Sequence, residues 1–254
     1  MEQKKIAEIT AEFKAAAIEE LSGLCTAYQT DERPGVRKLL ESAQKKLDKL
    51  AQEKERIYAM QEYERQYAEY ELIAGIDEVG RGPLAGPVVT CAIIMPKDCS
   101  ILYINDSKQL SEKKREELYE QILAQAVSYG IGIVSPERID EINILNATYE
   151  AMRQAIAAMP IAPKLLLNDA VTIPEVTIPQ VPIIKGDAKS LSIAAASIVA
   201  KVTRDRMMVE YDAIYPEYGF ASNKGYGSTE HVAALKKLGP TPIHRRSFIH
   251  NFGF

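Results

Sequence analysis

The sequence predicts a three-layer α/β fold with a mixed central sheet and a helical extension at the N-terminus. From residue 72 onward, short apolar runs rich in Val and Ile alternate with longer helical segments, a pattern typical of a sheet covered by helices. The loop between the first two runs is too short for a crossover helix, so these two strands pair antiparallel and the sheet is mixed. Residues 1–70 contain only one proline and two glycines, which favours helix.

The N-terminal segment, residues 1–70, differs in composition from the rest of the chain. Residues 35–70 are dense in Glu, Lys, Gln, Leu and Ala, with apolar residues near helical spacing. We expect two helices joined around residues 31–34. The sequence thus predicts two domains, a helical extension at residues 1–70 and a larger α/β domain at residues 71–254. The extension is either a packing appendage or linker, or an arm that binds a partner or substrate.

Local signals place the elements of the larger domain. Apolar, β-branched runs predict strands at residues 72–77, 87–94, 129–134, 165–167 and 181–184. Ser111 is positioned to cap a helix that ends near residue 126. Further helices are predicted at residues 137–158, with an irregularity at 143–146, at 190–213 and at 229–238.

Composition excludes several classes of protein. A hydrophobic fraction of 46% and a charged fraction of 26% are ordinary for a globular protein and exclude disordered, collagen-like and disulfide-scaffold chains. No secretory signal is visible, and no apolar run approaches the ~20 residues that cross a bilayer. Cys25, Cys91 and Cys99 form no C-x-x-C pair, which indicates a reducing compartment. We expect a cytoplasmic protein that does not bind membranes.

Charge is distributed unevenly along the chain. Residues 71–184 carry nine Lys and Arg against 15 Asp and Glu, whereas residues 185–254 carry ten against six, although the net charge of the whole chain is −4. An acidic segment followed by a basic one is what a metal site beside a phosphate-binding surface would produce. Chance gives the same asymmetry in many enzymes, so both interpretations remain open.

Four acidic residues follow or end predicted strands, namely Asp77, Glu78, Asp169 and Asp187. Carboxylates at the ends of buried strands can converge on one edge of a sheet and bind Mg²⁺ or Mn²⁺. The alternative is that Asp caps the turn after a strand. Because adjacent residues on a regular strand face opposite sides, Asp77 and Glu78 share a site only if the strand breaks there, as Gly80 and Gly82 make plausible.

The glycine-rich segment at residues 80–87 is too interrupted for helix or strand. Its G-x-G-x-x-x-G spacing is one residue longer than a dinucleotide fingerprint, and Pro83 lies where the helix would begin, so a Rossmann dehydrogenase is poorly supported. A loop whose bare backbone approaches a polar ligand fits better, with Arg81 beside it. Tyr226, between two glycines, suggests a stacking or sugar contact.

Basic residues accumulate near the C-terminus. A solvated surface is the default interpretation, but together they could follow a nucleic-acid backbone, and the group comprises Lys201, Arg204, Arg206, Lys224, His244, Arg245 and Arg246. The three histidines are far from any zinc-finger spacing and are interpreted as surface residues or phosphate contacts.

Six segments in order and at approximate spacing resemble the motifs of type 2 ribonuclease H, the RNase HII family. They are IDEVGRGPLAGPV at 76–88, NDSKQLS at 105–111, IKGDAKS at 184–190, AKVTRDR at 200–206, KGYG at 224–227 and PTPIHR at 240–245. The resemblance covers residues 72–248, well over half of the chain. The segment before it, residues 1–70, is absent from shorter family members.

The resemblance implies an RNase H-like catalytic domain that hydrolyses RNA paired with DNA and cuts 5′ to single ribonucleotides embedded in duplex DNA. It implies two-metal-ion catalysis with Mn²⁺ or Mg²⁺ and products with 5′-phosphate and 3′-hydroxyl ends. Matched residue by residue, the catalytic and metal-binding carboxylates would be Asp77, Glu78, Asp169 and Asp187.

Substrate binding would involve Gly80, Arg81, Gly82, Tyr226 and, with weaker support, Lys108 and Ser190. Many relatives have Asp-Gly after the fourth strand, whereas Asn168-Asp169-Ala170 stands here, so the fourth carboxylate is assigned to Asp169. Two alternatives remain: a type 3 ribonuclease H, which needs a run of ribonucleotides, and a hybrid-binding module without catalysis. Protein partners cannot be inferred.

Overall fold

The N-terminal part of the chain folds largely as helices, in a computed structural model that describes residues 4–254. The helices are α1 (Ile6–Ala15), α2 (Leu21–Tyr28) and α3 (Pro34–Met60). The predicted junction at residues 31–34 is present, and Asp31 accepts a hydrogen bond from the Arg33 amide at 3.0 Å. The segment before it is two helices rather than one, because the backbone is extended at Ala16 and Ala17.

The chain divides into two compact units, Met1–Tyr58 and Ala59–Phe254. Within the first unit, α1, α2 and α3 bury a small apolar core that includes Ile9, Phe13 and Val36. The domain boundary at residue 70 stays a prediction. Within residues 4–254, no helix is both long enough and apolar enough to cross a membrane.

A five-stranded mixed sheet forms the centre of the second unit. Its strands are β1 (Ile73–Val79), β2 (Val88–Ile94), β3 (Ser128–Val134), β4 (Leu165–Asp169) and β5 (Gln180–Ile183), in the order β3-β2-β1-β4-β5. β1, β2 and β3 pair antiparallel, whereas β4 lies parallel to both β1 and β5. The prediction of a mixed sheet is confirmed.

The helices of this unit are α4 (Glu62–Gln66), α5 (Glu112–Gln125), α6 (Pro136–Ala157), α7 (Leu191–Ile214), α8 (Phe220–Asn223), α9 (Thr229–Leu238) and α10 (Arg246–Ile249). Ser111 caps α5 as predicted, accepting a hydrogen bond from the Lys114 amide at 3.3 Å. The irregularity in α6 is a non-helical residue, Asn143. Its Oδ1 accepts hydrogen bonds from the amides of Leu145 and Asn146, so the helix restarts from an internal cap.

Helices cover the sheet on both faces, with α6 packed on β2 and β3 and α7 packed on β1 and β2. The first half of α7 is rich in Ala, and its residues from Leu191 to Ala200 are buried. The backbone of α7 lies so close to β1 that a Cβ at Gly75 would collide with the backbone of Ser192. The three-layer fold with its helical N-terminal region is therefore confirmed.

Candidate active site

Neighbouring parallel strands bring the predicted carboxylates to one edge of the sheet. Asp77 and Glu78 lie at the end of β1, and Asp169 ends β4. Asp187 follows β5, which is parallel to β4, in a one-turn 3₁₀ helix at residues 186–188. We call these four residues the acidic edge. β1 does not break between Asp77 and Glu78, because its ladder with β2 continues to Val79, so the strand break expected to bring them into one site is absent. Both carboxylates nevertheless lie close enough to Asp169 for its charge to raise their pKa values.

Burial and mutual repulsion shape the electrostatics of the acidic edge. Burial, together with the charges of Glu78 and Asp169, raises the pKa of Asp77 well above its usual value. Burial also raises the pKa of Glu78, and burial with repulsion from Asp106 and Asp169 raises that of Asp187. Like charges held together at a cost in solvation are a feature of functional sites.

A nearby cation responds to the same negative field. The side chain of Lys108 lies close enough to the acidic edge for its pKa to be affected. Burial disfavours the charged form of Lys108 and by itself would lower its pKa. Attraction by the carboxylates outweighs burial and raises the pKa, and these carboxylates belong to Asp106, Asp77, Asp187 and Asp169. Lys108 is exposed, so its ammonium is available to a ligand at this edge.

The donor chemistry of the acidic edge fits a hard divalent cation, since all four side chains offer carboxylate oxygens. Glu78 Oε2 is buried without a hydrogen-bond partner among residues 4–254. The donors are not assembled around one point, and the described part of the chain contains no ready-made cluster of three His, Cys, Asp or Glu ligands. Glu78 instead pairs with Arg81 at 3.2 Å, and Asp169 accepts a hydrogen bond from the Gly186 amide at 2.7 Å.

The glycine-rich segment at residues 80–87, which we call the glycine loop, lies with Tyr226 beside the acidic edge. Arg81 and Gly82 are exposed, and the Tyr226 ring, 45% exposed, lies within 3.8 Å of where a Cβ of Gly82 would be. The amides of Leu84 and Ala85 donate to the Gly225 carbonyl at 2.8 and 3.3 Å. The structure therefore joins two segments that are distant in the sequence into one surface.

Two buried arginines donate hydrogen bonds to backbone carbonyls of this loop from the interior of the protein. Arg204 and Arg245 are both 0% exposed. Arg204 donates to the carbonyls of Pro87 at 2.9 Å, Ala85 at 3.0 Å and Lys224 at 2.8 Å. Arg245 donates to those of Gly80, Arg81 and Gly86. Burial is the main reason that the pKa falls to about 10 for Arg204 and about 9 for Arg245.

The prediction of a basic surface is wrong for the residues whose side chains are buried in the protein. Arg204 and Arg245 cannot contact a nucleic-acid backbone, because carbonyls of the protein take up their guanidinium groups. Lys201 forms an ion pair with Asp205 at 2.7 Å. His231 and His244 are buried and lie 3.0 Å apart, Nε2 to Nε2, so the interpretation of these two histidines as surface residues is also wrong.

Two buried serines, Ser190 at the start of α7 and Ser197 within it, form hydrogen bonds near the site. Ser190 is fully buried and caps α7, its Oγ accepting from the Ile193 amide at 3.3 Å. Ser197, on α7, donates a hydrogen bond that partly offsets the rise in the Asp77 pKa, and its Oγ lies 3.0 Å from that of Ser107.

Sequence reasoning missed Ser197 and the loop-binding role of the two arginines, because both depend on contacts across the fold. Two sequence signals pointed toward Arg204, the motif AKVTRDR and the group of basic residues near the C-terminus, but neither indicated that it binds the loop.

Asn168 and Asp169 occupy different environments. Asn168 is fully buried, and its side-chain amide donates to the Val171 carbonyl at 3.2 Å and to Gln180 at 2.8 Å. Asp169 is partly exposed at the end of β4. The side chain at position 168 thus fixes the turn after β4, while that at position 169 faces the Gly186 amide.

Comparisons with known proteins give consistent results. A family model described as Ribonuclease HII matches residues 74–251, and one described as Ribonuclease HII N-terminal domain matches residues 5–68. A protein of Lachnoclostridium phytofermentans named Ribonuclease HII is 66% identical over 247 residues, covering 97% of this chain and 97% of its own.

Two solved structures with a similar fold are those of enzymes from Pyrococcus horikoshii and Archaeoglobus fulgidus. The ribonuclease H2 of Pyrococcus horikoshii OT3 aligns with a TM-score of 0.59 and 29% identity, covering 71% of this chain and 98% of that one. The RNase HII of Archaeoglobus fulgidus, solved in complex with PCNA, aligns with a TM-score of 0.60 and 28% identity, covering 71% and 96%.

Proposed function

The chain belongs to the ribonuclease HII family of metal-dependent endoribonucleases, which cleave RNA in RNA–DNA hybrids, and we propose that it also cuts 5′ to a single ribonucleotide embedded in duplex DNA. We propose that the acidic edge performs the hydrolysis and that the glycine loop recognises the 2′-hydroxyl. The type 3 alternative needs a run of ribonucleotides and is the competing prediction. The inactive binding module is set aside by family membership.

The observation that carries this proposal is the contrast between Gly80 and Gly82. The fold requires glycine at position 80, where φ is +91° and a Cβ would collide with the Arg204 side chain. At position 82 it does not, since φ is not in the left-handed region and a Cβ would make only an ordinary contact at 3.8 Å. The missing side chain at Gly82 therefore leaves space for something outside the protein, such as a ribose.

A ribose that approaches Gly82 would meet backbone groups rather than side chains. The 2′-hydroxyl is the group that distinguishes RNA from DNA at one nucleotide, and a bare, rigid backbone can donate to it and accept from it at close range. Arg204 and Arg245 bind carbonyls of this loop on its inner side, which fixes its shape before substrate arrives. Tyr226 offers its exposed ring to the neighbouring sugar.

The acidic edge would hold two divalent cations, Mn²⁺ or Mg²⁺, through Asp77, Glu78, Asp169 and Asp187. When bound, such ions activate water for attack on phosphorus and stabilise the leaving 3′-oxygen. The residues of this chain make binding favourable by crowding carboxylates whose repulsion a cation relieves. Glu78 and Asp169 can bind a cation without losing their present contacts, because Arg81 pairs with Oε1 of Glu78 and the Gly186 amide donates to Oδ1 of Asp169, which leaves the second oxygen of each carboxylate.

Lys108 would bind a phosphate next to the cleavage point. Lys108 is exposed and is attracted by Asp106 and by three carboxylates of the acidic edge. Cations bound at the acidic edge would weaken this attraction and leave the ammonium to pair with a phosphate oxygen. Ser190 would act indirectly, because its hydroxyl is enclosed at the start of α7. Substrates of this kind accompany the chromosome, so the proposal places the protein in the bacterial cytoplasm.

The proposal is tested by comparing two duplexes in the presence of Mn²⁺ or Mg²⁺. One is DNA with a single ribonucleotide, and the other is the same DNA with a run of four. Cleavage 5′ to the lone ribonucleotide, leaving 5′-phosphate on the downstream fragment, is the expected result. Cleavage of the run alone would favour the type 3 alternative and overturn the proposal.

A further inference from the structure

A carboxylate outside the acidic edge is bound to the first turn of α7. Glu64, on the short helix α4, accepts three hydrogen bonds at Oε1. The donors are the Ser190 hydroxyl at 2.7 Å, the Ser192 amide at 3.0 Å and the Ser192 hydroxyl at 2.7 Å. A negative charge at this end of a helix also interacts favourably with the helix dipole. Glu64 therefore joins the segment before β1 to a helix that lies far along the chain.

The turn of α7 that Glu64 contacts is continuous with the segment that carries Asp187. The amides of Lys189 and Ser190 both donate to the Gly186 carbonyl, at 2.9 and 2.8 Å. The Gly186 amide in turn donates to Asp169 at 2.7 Å. A displacement of Ser190 would therefore move the Gly186 backbone and with it the positions of Asp187 and Asp169.

The same turn also contacts the strand that carries the other two carboxylates. Ser192 packs so closely on β1 that Gly75 has no room for a Cβ, and Gly75 shortly precedes Asp77 on that strand. The start of α7 is thus in contact with the backbones of both halves of the acidic edge. Glu64 binds this shared turn from outside the site.

The segment that carries Glu64 is itself anchored on the second unit. Tyr63, Tyr67 and Tyr70 pack against a buried cluster formed by Ile73, Leu165, Leu167, Ile183 and Ile193. Gln61 donates to the Cys99 carbonyl at 3.1 Å. Glu64 therefore projects from a fixed support, which is what a residue that positions another element requires.

We propose that Glu64 is a positioning residue for the metal site. By fixing the first turn of α7, it holds the segment containing Asp187 in register with Asp77 and Asp169, and so sets the affinity of the acidic edge for divalent cations. This inference rests on the proposed function. It assigns a role to residues 59–70, which the sequence alone left unexplained.

The test compares Glu64→Ala with Glu64→Gln in the full chain, with Glu69→Ala as the control for removal of an exposed carboxylate from the same segment. Two quantities are measured, Mn²⁺ binding by calorimetry without substrate and the Mn²⁺ concentration that gives half-maximal cleavage. Loss of a group that orients ligands typically weakens metal affinity by ~10–100-fold. We expect a shift of at least about tenfold for Glu64→Ala, a smaller one for Glu64→Gln, which keeps an acceptor oxygen, and none for Glu69→Ala.

A purely structural role would give a different result. If Glu64→Ala lowers the melting temperature while Mn²⁺ binding and the Mn²⁺ midpoint equal those of the parent protein, the inference is overturned. Ser192→Ala removes one donor to Glu64 and retains the helix, so it should shift both metal readouts in the same direction, and it serves if Glu64→Ala does not fold. Failure of the parent protein to cut the single-ribonucleotide duplex, with intact metal binding, would overturn the proposed function alone.

Discussion

Some residues at this site have properties that the stability of the fold does not explain, such as a buried carboxylate or a missing side chain. Asp77 is buried beside Glu78 and Asp169 and its pKa is raised, so its ionised form is held against solvation and repulsion. Gly82 is bare although the fold has room for a side chain. Features that break local rules without a compensating gain in stability are the ones that indicate function.

Replacing Asp77 by Asn should separate activity from stability. The substitution removes a proposed central metal ligand, so cleavage of an RNA–DNA hybrid should fall by at least ~100-fold, equivalent to a few kcal/mol in the barrier. Because the change also removes a buried charge that its neighbours repel, the midpoint of urea unfolding should stay the same or rise. Cleavage rate and unfolding midpoint are measured together.

The control for this change is Asp98→Asn, which alters an exposed carboxylate and should affect neither quantity. Survival of cleavage in Asp77→Asn would show that the acidic edge has a different central ligand.

Arg245 should be intolerant even of lysine. Its guanidinium binds the carbonyls of Gly80, Arg81 and Gly86, and an ammonium cannot reproduce that planar fork. Leaving buried carbonyls unpaired costs about 1–3 kcal/mol each, so Arg245→Lys should lower the free energy of unfolding by about 2–4 kcal/mol. Cleavage of the single-ribonucleotide duplex should fall as well.

Arg246→Lys, at an exposed position, is the matched control and should change the free energy of unfolding by less than about 0.5 kcal/mol. Equal unfolding midpoints for the two variants would mean that Arg245 does not support the loop.

At the scale of elements, most of the secondary structure follows from sequence patterns. Apolar runs predicted the strands, and Ser111 and Ser190 were correctly placed at the starts of helices. The predicted end of β1 at residue 77 was wrong, because pairing with β2 extends the strand through Glu78 to Val79. Such pairing between strands is a tertiary effect that propensity does not contain.

Two histidines connect α9 to the segment before α10. His244 Nδ1 accepts from the Thr241 amide at 3.0 Å, which leaves its proton on Nε2, facing His231 Nε2. His231 then donates from Nδ1 to the Tyr226 carbonyl at 2.8 Å. Both rings are therefore neutral in this arrangement, and the chain of hydrogen bonds ends at the tyrosine of the proposed substrate surface.

A fall in pH should weaken the contact between His231 and His244 that connects α9 to the segment before α10. Burial, with repulsion from His231, lowers the pKa of His244 from 6.5 to about 4, so the unfolded state binds a proton first as the pH falls. The stability that the neutral His244 contributes is fully present above pH 6.5 and is lost between pH 6.5 and 4, by about 3 kcal/mol at one pKa unit per 1.36 kcal/mol. Urea unfolding across this range measures the decline.

His244→Asn, which removes the titrating group, should have a shallower dependence of stability on pH than the parent protein over the same range. Parallel curves for the two proteins would show that His244 does not titrate between folded and unfolded states.

At the scale of the whole molecule, the net charge of −4 conceals how charge is placed. Part of the acidity belongs to the acidic edge, where bound cations would offset it. Two of the C-terminal basic residues, Arg204 and Arg245, are internal and do not face solvent. Counting charges along the sequence indicated a metal site near a basic region, but burial determines which cations are available to phosphates, and burial depends on the complete fold.

The sequence motifs located the candidate site residues, and the fold determines what each can do. Asp77, Glu78, Asp169 and Asp187 come to one sheet edge because β1, β4 and β5 are parallel neighbours. Nothing local to Ser190 shows that its hydroxyl is committed to Glu64 and the start of α7. Contacts between distant segments therefore account for what the sequence could not predict.

The central claim is that the exposed backbone at Gly82 is reserved for the ribose of the substrate. The most direct measurement is kcat/KM for Gly82→Ala on DNA containing one ribonucleotide, alongside its melting temperature. Because a Cβ at this position meets only the Tyr226 ring at 3.8 Å, the melting temperature should match that of the parent protein, while kcat/KM should fall at least ~10-fold, or about 1.4 kcal/mol. An unchanged kcat/KM in the stably folded variant would contradict the claim.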